Sequence, residues 1–216
     1  MNLQKLTLKS QQALQTAQEI AGGYSNQQIE PIHILAAMLQ DSAGIVPPML
    51  MKIGANLNYL KIKVNESIES LPKVSGAGLG SQYISQYTGR MIESALKEAT
   101  AMGDEYVSTE HLLIAISEDK TSPAGALLRA CLPVAGQSGT LAERFTGTDL
   151  VGRVRAKTGW IRGASALSGM LERADGSVRY FSILMNYDPK KDGLNRDLKR
   201  LQEDIVRAID RGEPPR

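Results

Sequence analysis

One cysteine and two histidines are all the thiol and imidazole side chains that this 216-residue sequence offers. A lone Cys131 excludes an internal disulfide and a cysteine-based zinc site. It reads as a small hydrophobe for a core. Aromatic residues make up only 5% of the chain, so aliphatic side chains and methionine must fill most of that core. No apolar run approaches the roughly 18 residues that a bilayer span requires. The opening "MNLQKLTLKSQQALQ" has no apolar stretch of the kind a secretory leader carries. The expectation is a cytoplasmic protein with no membrane partner. Net charge is only +2, which excludes the dense basic face of a nucleic-acid binder. No G-x-x-x-x-G-K-[ST] loop occurs, and "GAGLG" (76–80) lacks the lysine and sits in a linker. ATP hydrolysis is therefore not expected, and neither a cofactor nor a metal is implied.

What is present divides in two. Residues 1–130 hold 10 Lys/Arg against 12 Asp/Glu, and residues 131–216 hold 15 against 11. The front part also matches itself at an offset of 78 residues. Leu14, Ala17, Ala21, Ile29, His33, Leu35 and Ala37 fall on Ile92, Ala95, Ala99, Val107, His111, Leu113 and Ala115 without gaps. Each unit opens with a helix whose apolar residues recur at three and four, as in Ala13, Ala17, Ile20 and Ala21. A turn follows, then a second helix, with Pro31 at its first position and Ser108 as the cap in the repeat. Residues 47–71 add two more helices to the first unit, and the Gly/Ser-rich stretch 71–82 links the units. The pattern predicts four helices per unit, with repeats over about 1–75 and 80–130 and the last helix of the second missing. His33 and His111 read as packing or capping residues, since a metal site needs three or four convergent ligands. Met38, Met49, Met51, Met91 and Met102 read either as core or as an adaptable binding surface.

"LTLKSQQALQTAQEIA", "IEPIHILAAMLQD", "ESLPKV" and "GDEYVSTEHLLIAI" resemble the amino-terminal domain of the Clp ATPases, the ClpB type in particular. The resemblance implies a module that binds unfolded or aggregated protein segments, or adaptor proteins, and hands them to an ATPase ring. It also implies a client-handling surface at Thr7, Asp104 and Glu110. The same three residues suit plain structural roles: a helix cap, a turn residue and a first-turn carboxylate favoured by the helix dipole. A related branch of the family binds phosphoarginine through a Glu in both repeats. Ile32 stands at the first-repeat counterpart of Glu110, so that paired site is broken here.

After Ala130 the helical pattern gives way to loop chemistry and strands. Val154, Ala156 and Thr158 alternate with Arg153, Arg155 and Lys157, the period of a half-exposed strand. Two further strands follow in "SALSGMLERA" and "SVRYFSILMNY", joined by "DG", a hairpin signal. An amphipathic helix with Leu194, Leu198, Leu201, Ile205 and Ile209 on one face ends at Gly212 and two prolines. "LPVAGQSGTLAERF", "GRVRAKTG", "SALSG" and "YFSILMN" resemble the carboxy-terminal end of D-alanyl-D-alanine carboxypeptidases of the penicillin-binding protein family, over about residues 131–212. There the Lys and Thr of the triplet, here Lys157 and Thr158, hold the substrate carboxylate, and Gly159 permits close approach. Trp160 departs from the small hydroxyl residue usual at the next position.

That chemistry needs a serine nucleophile with a lysine one turn on. S-x-x-K strings such as Ser70–Lys73 and Ser117–Lys120 fall within the helical repeat. No S-x-N occurs, and Tyr24-Ser25-Asn26 imitates the Y-x-N variant from an interhelical turn. The triplet reads as a remnant and the chain as no enzyme. The expected fold is α+β: an all-helical Clp N-type double repeat (1–130), then a carboxypeptidase-like segment (131–216) with a small antiparallel sheet and a terminal helix. The two meet near Ala130–Cys131 in an apparent chimera. The alternative is an acyl-transfer enzyme using Ser70 or Ser117. The exposed strand edges of so small a sheet also imply self-association through the tail.

Overall fold

The 78-residue offset reappears as a set of paired backbone contacts in the computed structural model, which describes residues 3–74, 82–190 and 194–212. Residues 75–81 of the expected linker, including "GAGLG", and the two terminal prolines lie outside the described residues. The chain divides into two units, Met1–Cys131 and Leu132–Arg216.

In the first unit the order is α1 (Leu8–Gly23), β1 (Gln28–Ile29), α2 (Pro31–Gln40), α3 (Val46–Lys52), α4 (Leu57–Glu69), β2 (Tyr83–Ile84), α5 (Gln86–Met102), α6 (Thr109–Glu118) and α7 (Pro123–Ala130). α1 to α4 form one repeat; α5 to α7 form the other, with no described counterpart of α4. The repeats interlock by strand-like contacts that exchange under the offset: Ile29 pairs with Ile84, and Leu6 with Val107. Ser10 donates its hydroxyl to Val107 O at 2.8 Å, and its counterpart Thr88 donates to Ile29 O at 2.7 Å.

Helix starts repeat as well. Thr7 caps α1 through Ser10 N, and Ser85 caps α5 through Thr88 N. Pro31 opens α2 and Ser108 caps α6, both with a histidine in the reciprocal capping position. His33 Nδ1 accepts from Glu30 N at 2.9 Å and His111 Nδ1 from Ser108 N at 3.0 Å, satisfying donors that a helix start leaves open. The core is aliphatic, from Leu6 and Ala17 through Leu35, Leu60, Ile92 and Ile116 to Cys131. Burial pushes the Cys131 thiol up to about 11. Met38 and Met91 belong to this core, whereas Met51 and Met102 are more than half exposed, so the five methionines form no single surface.

The second unit holds β3 (Val154–Ile161), β4 (Ala164–Glu172), β5 (Val178–Asn186) and α8 (Leu194–Arg211). The strands form an antiparallel sheet in the order β3-β4-β5. Val154, Ala156, Leu167, Leu171, Phe181 and Ile183 alternate onto one face and share a core with Phe145, Leu150 and Val206. Gly169 is obligatory at this pairing, because a Cβ there would stand 2.2 Å from Arg155 O. The expected hairpin forms, and one expectation, the face of α8, changes in detail. The β4–β5 connection is a three-residue loop, Ala174-Asp175-Gly176, closed by Arg173 N to Ser177 O at 2.8 Å, with Gly176 at φ +76°. Asp-Gly thus sets a left-handed position in a longer loop, not a two-residue turn. The buried line of α8 is rotated by one residue. Gln202 and Val206 are fully buried while Leu201 is half exposed, because Gln202 Nε2 reaches Ser165 Oγ at 3.1 Å and accepts from Arg144 through Oε1.

Candidate functional site

Thr7, Asp104 and Glu110 each attach to the segment that carries the sequence into α6. Thr7 N donates to Val107 O at 3.0 Å while its hydroxyl caps α1. Asp104 Oδ2 lies 3.2 Å from His111 Nε2, on an exposed carboxylate. Glu110 Oε2 accepts from the Thr109 hydroxyl at 3.1 Å. Partial burial pushes the Glu110 carboxyl up, but its own backbone N–H, Ser108, Thr109 and nearby His111 outweigh that and leave it below its ordinary value. Ile32, the counterpart of Glu110, is buried in the core.

None of the three lines the cleft of about 410 Å³ that lies beside α1. Ala13, Ala37, Met38 and Val46 give it an apolar floor, and Lys9, Gln12, Thr16, Gln40 and Asp41 a polar rim. Thr109, next to Glu110, closes one side. Lys9 Nζ stands 3.0 Å from Asp41 Oδ2. The hydrogen bond from Lys9 is the main reason the Asp41 carboxyl lies below its usual range, aided by the lysine charge and by Ala43 and Gly44 N–H. An exposed pair of this kind contributes under about 1 kcal/mol, so it opens at little cost. Such a cleft can hold an aliphatic side chain over its floor while the rim hydrogen-bonds a peptide backbone. The rim escaped sequence reasoning because Lys9, Asp41 and Thr109 come from three separated segments and share no motif.

In the second unit a cavity of about 360 Å³ is lined by Thr158, Gly159, Trp160, Arg144, Lys199 and Gln202, among others. Lys157 is not among its lining residues. The pleat sends adjacent side chains to opposite faces, and Lys157 Nζ instead donates to Thr158 O at 2.6 Å. Lys157 and Thr158 therefore do not converge on this cavity. The Trp160 indole is 61% exposed. The Arg144 guanidinium is engaged by Glu203, Lys199 O and Gln202 Oε1. The two candidate serines are engaged on their own helices: Ser70 Oγ donates to Ser67 O at 2.7 Å and Ser117 Oγ to Ile114 O at 2.8 Å. Among the described residues no three His, Cys, Asp or Glu side chains gather as a metal site would require, and no helix is long and apolar enough to cross a membrane.

Residues 5–131 match the Clp repeat (R) N-terminal domain family. The chain belongs to that family. Chaperone protein ClpB of Rhodopseudomonas palustris is 38% identical over 128 residues, covering 59% of this chain. Those residues amount to only 15% of that relative's length. The Hsp104 N-terminal domain from Candida albicans shares the fold at 20% identity, with a TM-score of 0.52 over 59% of this chain and 81% of its own. The N-terminal domain of the ClpV1 ATPase from E. coli EAEC does so at 19% identity, with a TM-score of 0.50 over 54% of this chain and 70% of its own. Residues 101–201 also match the D-Ala-D-Ala carboxypeptidase 3 (S13) family, overlapping the Clp match from 101 to 131. The sequence thus joins a Clp N-terminal domain to a segment similar to a peptidase family.

Proposed function

We propose that residues 1–130 act as a client- or adaptor-binding module of the Clp type, taking exposed segments of unfolded or aggregated proteins without chemistry of its own. The observation that carries this reading is the cleft beside α1, whose apolar floor and openable Lys9–Asp41 rim suit an extended peptide. Thr7, Asp104 and Glu110 flank the approach to α6 and extend the client surface beyond Thr109. The test is fluorescence anisotropy of a labelled, permanently unfolded protein titrated with the full chain. Thr16→Trp, which fills the cleft, raises the Kd at least about tenfold, the loss of roughly one well-placed contact region. Thr7→Ala, Asp104→Ala and Glu110→Ala weaken binding by smaller factors. Unchanged affinity in all four variants refutes the assignment.

A second reading concerns residues 131–216. The Lys-Thr-Gly triplet on β3 favours descent from a penicillin-binding carboxypeptidase, with Lys157, Thr158 and Gly159 a remnant carboxylate-binding motif and no nucleophile. Intact mass after incubation with a β-lactam is then unchanged. A covalent adduct on Ser70 or Ser117 would establish the enzyme instead.

A further inference from the structure

The two edges of the second unit's sheet are unequal. Along β3, Ala135 N donates to Val154 O at 2.9 Å and Ala156 N to Pro133 O at 3.2 Å, so a flanking segment covers the first half of that edge. β5 pairs with β4 without interruption from Val178 to Asn186, and no described strand pairs with its other side. Natural sheets guard such edges with proline, lysine or a bulge. β5 contains none of these, and Arg179 is its one charge. Its outward residues Tyr180 and Leu184 are 69% and 71% exposed.

We propose that two copies of this chain pair edge to edge through β5, antiparallel about a two-fold axis at Ser182, to make one six-stranded sheet. The strand is complementary to itself in that register, which also gives the longest overlap. Tyr180 of one copy faces Leu184 of the other, Phe181 faces Ile183, and Ser182 faces its own counterpart. Within each sheet Met170 lies beside Tyr180 and Ala166 beside Leu184. The exposed face therefore carries a continuous apolar row from Met170 through Tyr180 to Leu184 and Ala166 of the second copy. Ser168 and Ser182 hydroxyls already meet at 2.9 Å, and the axis extends this into a hydroxyl ladder across both copies. Cross-strand pairs of these types are stabilising, and like charges directly opposite are not. Arg179 faces Met185 of the second copy, and the two arginines stand roughly 20 Å apart at the strand rise, beyond the screening length of about 8–10 Å. Charge thus permits a second copy at this edge.

Sedimentation equilibrium of the full chain over a wide concentration range tests the pairing. A species of twice the 23.4 kDa chain mass is expected. Ser182→Glu places two carboxylates face to face on the axis and returns the protein to the monomer mass. Under oxidation Ser182→Cys cross-links, because paired residues lie within about 5.5 Å. Leu184→Cys does not, its two copies being roughly 14 Å apart, beyond the ~7 Å limit for a disulfide. Buried Cys131 does not compete. This pair of variants decides the matter even where Ser182→Glu fails to fold. A wild type that stays at 23.4 kDa overturns the proposal. So does a dimer in which Leu184→Cys cross-links as readily as Ser182→Cys.

Discussion

Lowering the pH from 6.5 to 4 should weaken the helical unit through one side chain. His33 is fully buried, with Nδ1 accepting from Glu30 N at 2.9 Å and Nε2 facing Asn26 Oδ1 at 3.1 Å. Both contacts are met by the neutral ring with its proton on Nε2. Protonation would set a second N–H against the Glu30 N–H and bury a charge. Burial accordingly lowers the His33 pKa from 6.5 to about 4. Below 6.5 the unfolded chain binds a proton that the native state refuses, so stability rises with pH in this window and is lost as pH falls. At about 1.4 kcal/mol per pH unit, the loss approaches ~3 kcal/mol by pH 4. The assay is two-fold: urea unfolding of wild type and His33→Gln from pH 7 to 4, and NMR titration of the ring. With two histidines in the chain, His111→Gln assigns the signals. The expected result is a ring that stays neutral to below pH 5 and a wild-type stability that falls more steeply than that of His33→Gln. A His33 ring titrating near 6.5, or parallel pH profiles, would refute the reasoning.

Three further outcomes follow from the same geometry. Thr7→Ala and Ser85→Ala, equivalent caps of α1 and α5, should each cost about 1 kcal/mol in urea unfolding. Gly169→Val should push β4 away from Arg155 O, costing more than about 2 kcal/mol and raising hydrogen exchange across residues 154–172. Cys131, buried with its thiol pushed up to about 11, should react with a disulfide reagent at pH 8 only on unfolding, since the thiolate is the attacking species.

The helical repeat and its capping residues were legible in the sequence because they rest on local periodicity and helix-end chemistry. Thr7, Pro31 and Ser108 each state their role within four residues of chain. The groove was not legible, because its rim unites Lys9, Asp41 and Thr109 across two helix ends and a repeat boundary. The face of α8 was misjudged for a related reason. Leucine pattern alone favours Leu201, yet Gln202 is buried because Arg144 and Ser165 satisfy its amide from distant segments. A buried polar residue with partners far off in the chain leaves no periodic trace. The Lys157-Thr158-Gly159 motif shows the converse: it is plain in the sequence, while the strand pleat separates its two polar side chains.

The central claim, that the helical unit receives client segments through the cleft beside α1, is tested most directly by two-dimensional amide NMR of the full chain titrated with an unlabelled unfolded protein. The account predicts shifts concentrated at Lys9, Gln12, Thr16, Asp41 and Thr109, with weaker ones at Thr7, Asp104 and Glu110. Shifts confined to Thr158, Gly159 and Trp160, or no shifts at saturating client, would contradict it.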